Sequence, residues 1–359
     1  MAGPNNDLLL QAQSGDANAQ YTLGNAYHFG AGVSKQLPVA MRWYLKAAAQ
    51  GHRDAQVNLG LMYLQELPQA GMAGNPTQAR YWFRRAAESG DGQAMFYLAN
   101  CHLLGNGAPV DLYEVERWYR AAAEQGLVTA QYHLGLLLLA GQGRTPDPTQ
   151  GMHWLTRAAD QGMAAAQYEL ARQLRGGPGV ESDPLMMLHY LHEAADQDHV
   201  QAMYALALQL ERGDGLDRAY PDQAAQWYRK LAQDHDHGPA AHNLGILYVE
   251  GRGVEQNADA ALDMFQLAVA LNCNEAMYSL ALLHCAGGTA RDFEAAATWS
   301  ILSQAYCPER GGAVLLAGIA RRLEAGQLES AHRAAEDWKR QMNRDRAEQA
   351  SADTLAETI

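Results

Sequence analysis

One six-residue pattern returns along this chain on a nearly fixed beat. Its copies begin Ala-Gln-Tyr-Thr-Leu-Gly at Ala19, Ala-Gln-Val-Asn-Leu-Gly at Ala55, Ala-Met-Phe-Tyr-Leu-Ala at Ala94 and Ala-Gln-Tyr-His-Leu-Gly at Ala130, and four more start at Ala166, Ala202, Ala240 and Ala276. The spacings are 36, 39, 36, 36, 36, 38 and 36 residues. A unit this short cannot hide its own apolar side. Tandem copies stack, each touching its neighbours, and bury one continuous core. The 359 residues therefore predict a repeat array rather than two or three globular domains.

Each unit reads as two helices. Counting the recurring Ala as position 1, Leu stands at 5, Gly or Ala at 6, and usually Tyr or Leu at 9. Positions 1, 5 and 9 share one helical face, and the small residue at 6 admits a neighbouring helix. Paired glycines follow at Gly30/Gly32, Gly141/Gly143, Gly177/Gly179, Gly213/Gly215 and Gly251/Gly253, as expected for a helix C-cap and tight turn. The second helix has the form Ala-x-x-Trp-Tyr-x-x-Ala-Ala-x-x-Gly. Its anchor recurs as Trp43, Trp82, Trp118, Trp154, Tyr190, Trp227, Met264 and Trp299. Six of the seven tryptophans fill this one slot, which marks them as packing groups rather than a cofactor box. Alanine pairs such as Ala47/Ala48 and Ala158/Ala159 keep the next unit close, and Gly51, Gly90, Gly126 and Gly162 end the second helices. Abundant Ala and Gly with few β-branched residues agree with helices and turns over sheets.

These motifs resemble the Sel-one-like repeat, a relative of the tetratricopeptide repeat, over about residues 17 to 306. The resemblance implies an all-α, right-handed α/α superhelical solenoid of about eight two-helix repeats. It also implies that the chain is a non-enzymatic adaptor or scaffold for protein complexes, often in bacterial signalling, envelope assembly or host interaction. The expected organisation is an N-terminal capping helix in 1–16, eight repeats in 17–306, C-terminal capping helices in 307–340 closed by Trp338, and a polar, disordered tail in 341–359. Some units depart from the pattern. The second carries a longer loop, Gln65 to Pro76, in place of the paired glycines; the fifth has Tyr190 for Trp; the seventh has Met264; the eighth has Gly287/Gly288 and no glycine ending its second helix.

Function is expected on the concave wall lined by the first helices. At 100° per residue, positions 3, 7 and 10 point together away from the core-facing stripe. Position 3 holds Tyr21, Val57, Phe96, Tyr132, Tyr168, Tyr204, His242 and Tyr278. Position 7 holds Asn25, Leu61, Asn100, Leu136, Arg172, Leu208, Ile246 and Leu282, and position 10 includes His28, Leu103, Leu139, Arg175 and Glu211. Aromatics and arginines bury large areas at little entropic cost and dominate protein interfaces. Arg172 and Arg175, three apart near the middle of the array, are placed to clamp a carboxylate of a bound peptide. The resemblance to tetratricopeptide grooves implies that Asn25 and Asn100 hydrogen-bond a peptide backbone.

Other classes are set aside. The net charge is −13 and the pI about 5.4, with no basic run to neutralise phosphates, so no nucleic-acid partner is expected. Cys101, Cys273, Cys285 and Cys307 lack CxxC spacing, and neither a disulfide framework nor a zinc site follows. His189, His192 and His199, and the run Asp234-His235-Asp236-His237, supply ligand types, but a polar linker is the simpler reading and no metal is expected. No Gly-x-Ser-x-Gly elbow, phosphate loop or His-Glu-x-x-His is present, and no cofactor is expected. With no signal-like or membrane-length apolar run, the expected compartment is the cytoplasm. Two alternatives stand beside the adaptor: a chaperone or immunity-type binder of a secreted effector, and an exported peptidoglycan-associated protein.

Overall fold

In the computed structural model the described residues are 6–65, 74–141, 145–214, 216–286, 292–324 and 326–358, with side chains described to 348. They form helices and turns, with no strand among them. Gly143, Gly215, Gly287 and Gly288, most of the long loop of the second repeat and residues 1–5 lie outside them.

The chain divides into two units, Met1–Asp183 and Pro184–Ile359. In the first, α1 (Asn6–Ser14) precedes four helix pairs: α2 (Ala17–Phe29) with α3 (Leu37–Ala49), α4 (Arg53–Leu64) with α5 (Pro76–Glu88), α6 (Gly92–Leu104) with α7 (Leu112–Glu124), and α8 (Val128–Ala140) with α9 (Pro148–Asp160). The unit closes on α10 (Ala164–Leu174). The second unit opens on α11 (Pro184–Asp196). It continues with the pairs α12 (Val200–Arg212) and α13 (Pro221–Asp234), α14 (Gly238–Glu250) and α15 (Ala258–Ala270), and α16 (Glu275–Ala286) and α17 (Phe293–Tyr306). Then come α18 (Gly312–Ala320) and α19 (Gln327–Thr358), both packed on α17. The fifth repeat thus contributes one helix to each unit.

The ends of the helices follow from side-chain chemistry. Position 1 alanines donate their N–H to a residue three before them: Ala19 to Asp16 (2.6 Å), Ala94 to Asp91 (2.8 Å), and Ala202 and Ala240 to the Nδ1 atoms of His199 (3.2 Å) and His237 (3.1 Å). This is N-capping, and it gives His199 and His237 a structural role. Second helices end on a residue in the left-handed region. Gly51, Gly90, Gly126 and Gly162 fill that place early in the chain, and Asp198, Asp236 and Asn272 fill it later, at φ of 66°, 48° and 63°. Asp and Asn are the non-glycine types that tolerate this conformation best, so the turn persists where the glycine does not. The paired-glycine turn also occurs in the third repeat, where Gly105 and Gly107 adopt φ of 70° and 76°.

The deepest packing group is the residue after the tryptophan. Tyr44, Phe83, Tyr119, Leu155, Tyr228 and Phe265 are among the fully or nearly fully buried side chains. A Cβ built on Gly24, Gly135 or Gly245 falls 2.5–2.7 Å from Tyr44, Leu155 or Phe265, so position 6 is small because this side chain presses on the helix. The tryptophans lie further out. Trp82, Trp118 and Trp154 are buried, whereas Trp43, Trp227 and Trp299 are half-buried. Several are roofed by a cation three residues on, as with Lys46 over Trp43 (4.2 Å) and Arg157 over Trp154 (5.1 Å).

Successive repeats are stapled by glutamines. Gln20, Gln56, Gln131 and Gln167, at position 2, each donate to an alanine carbonyl of the preceding helix at 3.0–3.3 Å. Gln50 and Gln161, at the end of the second helix, donate back to Gln20 and Gln131 at 2.9 and 2.7 Å. The N–H groups of these buried amides are satisfied by the helix ends they join, while the Gln56 Oε1 has no partner.

At the C-terminus the helix does not stop at residue 341. α19 continues through the polar stretch expected as a tail; ion pairs one turn apart lead up to it, Lys339–Glu336 at 2.8 Å and Arg340–Asp337 at 3.4 Å, and within it Gln341 donates to Asp345 at 2.7 Å. Arg346 also donates to Asn272 at 2.8 Å. Trp338 packs edge-on against Trp299 and Tyr306.

Candidate functional site

Positions 3, 4 and 7 of the first helices share one side of each unit, and each position behaves differently there. The ring at position 3 is half-buried, because it leans on the next first helix. Phe96 meets His133 at 5.5 Å, Tyr21 stacks on His52 at 4.4 Å, Tyr204 accepts a hydrogen bond from Asn243 at 3.4 Å, and His242 shares one with Ser279 at 2.9 Å. These rings bridge neighbours with one edge while the other stays accessible. Burial raises the Tyr204 and Tyr132 hydroxyls above their ordinary pKa, with Glu169 adding to the rise at Tyr132, and burial lowers the imidazoles of His133 and His242. All four are therefore neutral near pH 7.

At position 7 the chemistry is matched within the repeat. Asn25 accepts the Tyr44 hydroxyl at 2.6 Å and a weaker bond from Asn58 at 3.5 Å. Asn100 accepts the Tyr119 hydroxyl. Their carbonyl oxygens are thus held by the fold. In three repeats an apolar position 7 goes with an apolar residue in the second helix, Leu61 with Phe83, Leu136 with Leu155 and Ile246 with Phe265, whereas in the eighth Leu282 goes with Ser300. In the sixth repeat, with Leu208 at position 7, the Tyr228 hydroxyl donates instead to Glu211 at position 10, at 2.7 Å.

In the first unit this side opens into a pocket of about 380 Å³ between α6, α8 and α10. Leu103, Leu136, Leu139 and Ala140 supply apolar walls, and His133, Glu169 and Gln173 a polar edge. Glu169 is buried and binds Arg172 at 2.6 Å and Gln173 at 2.7 Å. Arg172 is therefore already paired. Arg175, at the exposed C-cap of α10, forms no ion pair among the described residues. Tyr132 and Tyr168 lie half-buried on the same helices. In the second unit the corresponding side carries Tyr204, His242 and Tyr278, with exposed Val249 and Leu282 at positions 10 and 7. Tyr278 borders an apolar pocket of about 600 Å³ formed with Phe293, Val314 and Leu315.

Position 4 was not singled out from the sequence, yet Asn58, His133, Glu169, Asn243 and Ser279 all face this side and hold its rings or charges. The signal was available: this position is polar in most repeats although it borders the core stripe.

Among the described residues no helix is long and apolar enough to cross a membrane, and no group of three or more His, Cys, Asp or Glu is placed to hold a metal ion. None of Cys101, Cys273, Cys285 and Cys307 is in a disulfide, and the thiols of the first two are pushed up to about 11 and about 12, chiefly by burial.

The eight repeats match the sequence profile described as Sel1 repeat, at residues 17–52, 53–91, 92–127, 128–163, 164–199, 200–236, 238–273 and 274–303. No curated protein sequence matches the chain. Among solved structures it is similar to a protective antigen of uropathogenic Escherichia coli with this fold, at 26% identity and a TM-score of 0.72, over 92% of this chain and 70% of the other. It is likewise similar to a Sel1 repeat protein from Oxalobacter formigenes, at 29% identity and a TM-score of 0.66, over 86% and 89% of the two chains.

Proposed function

Because this chain belongs to the Sel1 repeat family, an all-α solenoid family whose members are generally protein-interaction scaffolds, we propose that it is a non-enzymatic adaptor that holds a peptide or helix of a partner protein on its first-helix side. The observation that carries this reading is the pocket between α6, α8 and α10. Leu103, Leu136 and Leu139 line a cavity open to solvent, in positions that a merely solvated face fills with polar groups. One apolar anchor of a partner fits there. The Glu169–Arg172 pair and the Arg175 cation beside it suit a polar or acidic neighbour of that anchor. The half-buried rings of Tyr132 and Tyr168 add area that is already immobilised, which lowers the entropic cost of docking. The same reading extends, within the second unit, to Tyr204, His242 and Tyr278.

A photo-reactive amino acid placed at Leu136 or Arg172, and at Gln150 on the second-helix side as a control, tests it in native cells. The expected result is a discrete cross-linked protein from the first two sites and none from the third. Identical products from all three, or products from Gln150 alone, would contradict it.

A further inference from the structure

The first-helix side is not the only opening in the molecule. A second pocket, of about 560 Å³, lies between α5, the end of α6 and α7, bounded by the loop Ala108–Asp111. At its wall His102 is 4% exposed, and neither ring nitrogen has a hydrogen-bond partner. A buried imidazole without partners is costly, and native structures rarely tolerate one without a use.

The charges around it, Arg80, Arg84 and Arg117 with Glu88, Asp111 and Glu114, are equal in number but not all paired. Arg80 and Arg84 stand one turn apart on α5, where like charges repel, and neither forms an ion pair among the described residues. Two of the three acids that line the pocket are engaged elsewhere. Glu114 accepts from Arg117 at 3.1 Å and from the Trp118 indole at 2.8 Å, and Asp111 caps α7 through Tyr113 and Glu114 at 3.1 and 3.2 Å. Glu88 is exposed at the end of α5.

The repeat array supplies its own control. One unit further on, the residues in register with Arg80 and Arg84, flanking Trp118 as those flank Trp82, are Glu116 and Arg120, and they neutralise each other at 3.1 Å. The residue in register with His102 there is Leu138, and a corresponding pocket of about 320 Å³ remains. At position 9 the other repeats carry Tyr or Leu, apart from His284 in the eighth. Only the second repeat places arginine both two residues before and two after its tryptophan, and the next first helix carries a histidine at position 9.

We propose that this pocket is a binding site for a small oxyanion, a carboxylate or phosphoryl group, held by the forks of Arg80 and Arg84 and by one N–H of His102. Guanidinium forks match either group in two-point fashion. The volume lies within the range of about 300–1,000 Å³ usual for small-ligand sites, and Val110, Pro109 and the Trp118 ring leave room for an organic body behind the anionic head. The site shares no lining residue with the leucine pocket of α8, so variants at one leave the other's lining intact.

Calorimetric titration of the full chain with sodium phosphate and, separately, sodium glutarate at pH 7, against chloride of equal ionic strength, tests this. The expected result is saturable one-site binding of at least one probe; which one binds tells phosphoryl from carboxylate. R80A/R84A weakens it by about tenfold or more, the loss of charge-assisted hydrogen bonds. H102L, which installs the residue that the next repeat already tolerates, weakens binding while leaving the melting temperature unchanged or higher. E116Q/R120Q, in the corresponding pocket, leaves binding as it was. No saturable binding of either probe, or unchanged affinity in R80A/R84A and H102L, would overturn the proposal.

Discussion

The pairing between position 7 and the residue after the tryptophan makes a quantitative test. In the third repeat the Tyr119 hydroxyl, on a side chain 1% exposed, donates to Asn100. Burial pushes that hydroxyl up to about 12, so it remains a donor throughout the accessible pH range. Asn100→Leu leaves the hydroxyl buried with no acceptor, which costs about 1–3 kcal/mol. Tyr119→Phe leaves only the Asn100 carbonyl, which is half-buried and reaches water, at about 0.5–1.5 kcal/mol. N100L/Y119F recreates the apolar couple that the second repeat uses as Leu61 and Phe83, and replacing both partners by apolar groups is nearly neutral. The three variants therefore give a coupling energy of about 1.5–4.5 kcal/mol, the sum of the two single costs. For a unit that ends at Asp183, each kcal/mol moves the melting temperature by about 2–4 °C. Urea unfolding followed by near-ultraviolet circular dichroism, with slopes compared as well as midpoints because repeat arrays depart from two-state behaviour, reads the effect. Single and double effects adding to within about 0.5 kcal/mol would refute the pairing.

Two further outcomes follow from the packing and the caps. Gly24→Ala gains about 1 kcal/mol of helix propensity but sets a Cβ 2.6 Å from the Tyr44 ring, an overlap of about 1–3 kcal/mol. The net change is a loss, whereas Gly318→Ala, whose Cβ meets nothing within 4 Å, gains; paired thermal melts check the opposite signs. Acidification destabilises both units. His28, His102 and His133 in the first, and His192, His199, His237 and His242 in the second, have pKa values below the ordinary 6.5, chiefly through burial. The unfolded chain takes up these protons first, so the stability is complete above about pH 6.5 and falls as pH drops through the lower folded values. Melts from pH 7.5 to 5 show the decline, and H237N, which keeps a cap but does not titrate, makes it shallower; a flat profile would contradict the assignment.

The fold was legible because its core stripe keeps time with the repeat: Ala at 1, Leu at 5 and a small residue at 6 describe one helix against another without reference to anything distant. The second-helix Tyr, Phe or Leu was also legible, as Asn25 goes with Tyr44 and Asn100 with Tyr119, while Leu61 goes with Phe83. The attention given to the tryptophans hid it. The candidate face was only partly legible. A wheel drawn for one helix puts positions 3, 7 and 10 on a free side, but it omits the neighbour. Tyr21, Phe96, Tyr204 and His242 lean toward that neighbour, where His52 receives the first and position 4 the other three. Likewise Arg172 and Arg175 read as a pair of cations until Glu169, three residues before Arg172 on the same helix, is seen to hold the first. The C-terminal stretch read as a tail because apolar residues thin out after Gln341, yet α19 runs on through it, with Gln341 bonded to Asp345 and Arg346 to Asn272.

The most direct measurement of partner docking is affinity capture from native cells with wild-type chain and with the variant Leu136→Arg, which places a charge in the leucine pocket of α8 while circular dichroism checks that the helices persist. The expected result is loss from the variant of the protein that cross-links at Leu136, with an unchanged spectrum. Full retention of that protein by a folded Leu136→Arg chain would contradict docking on the first-helix side.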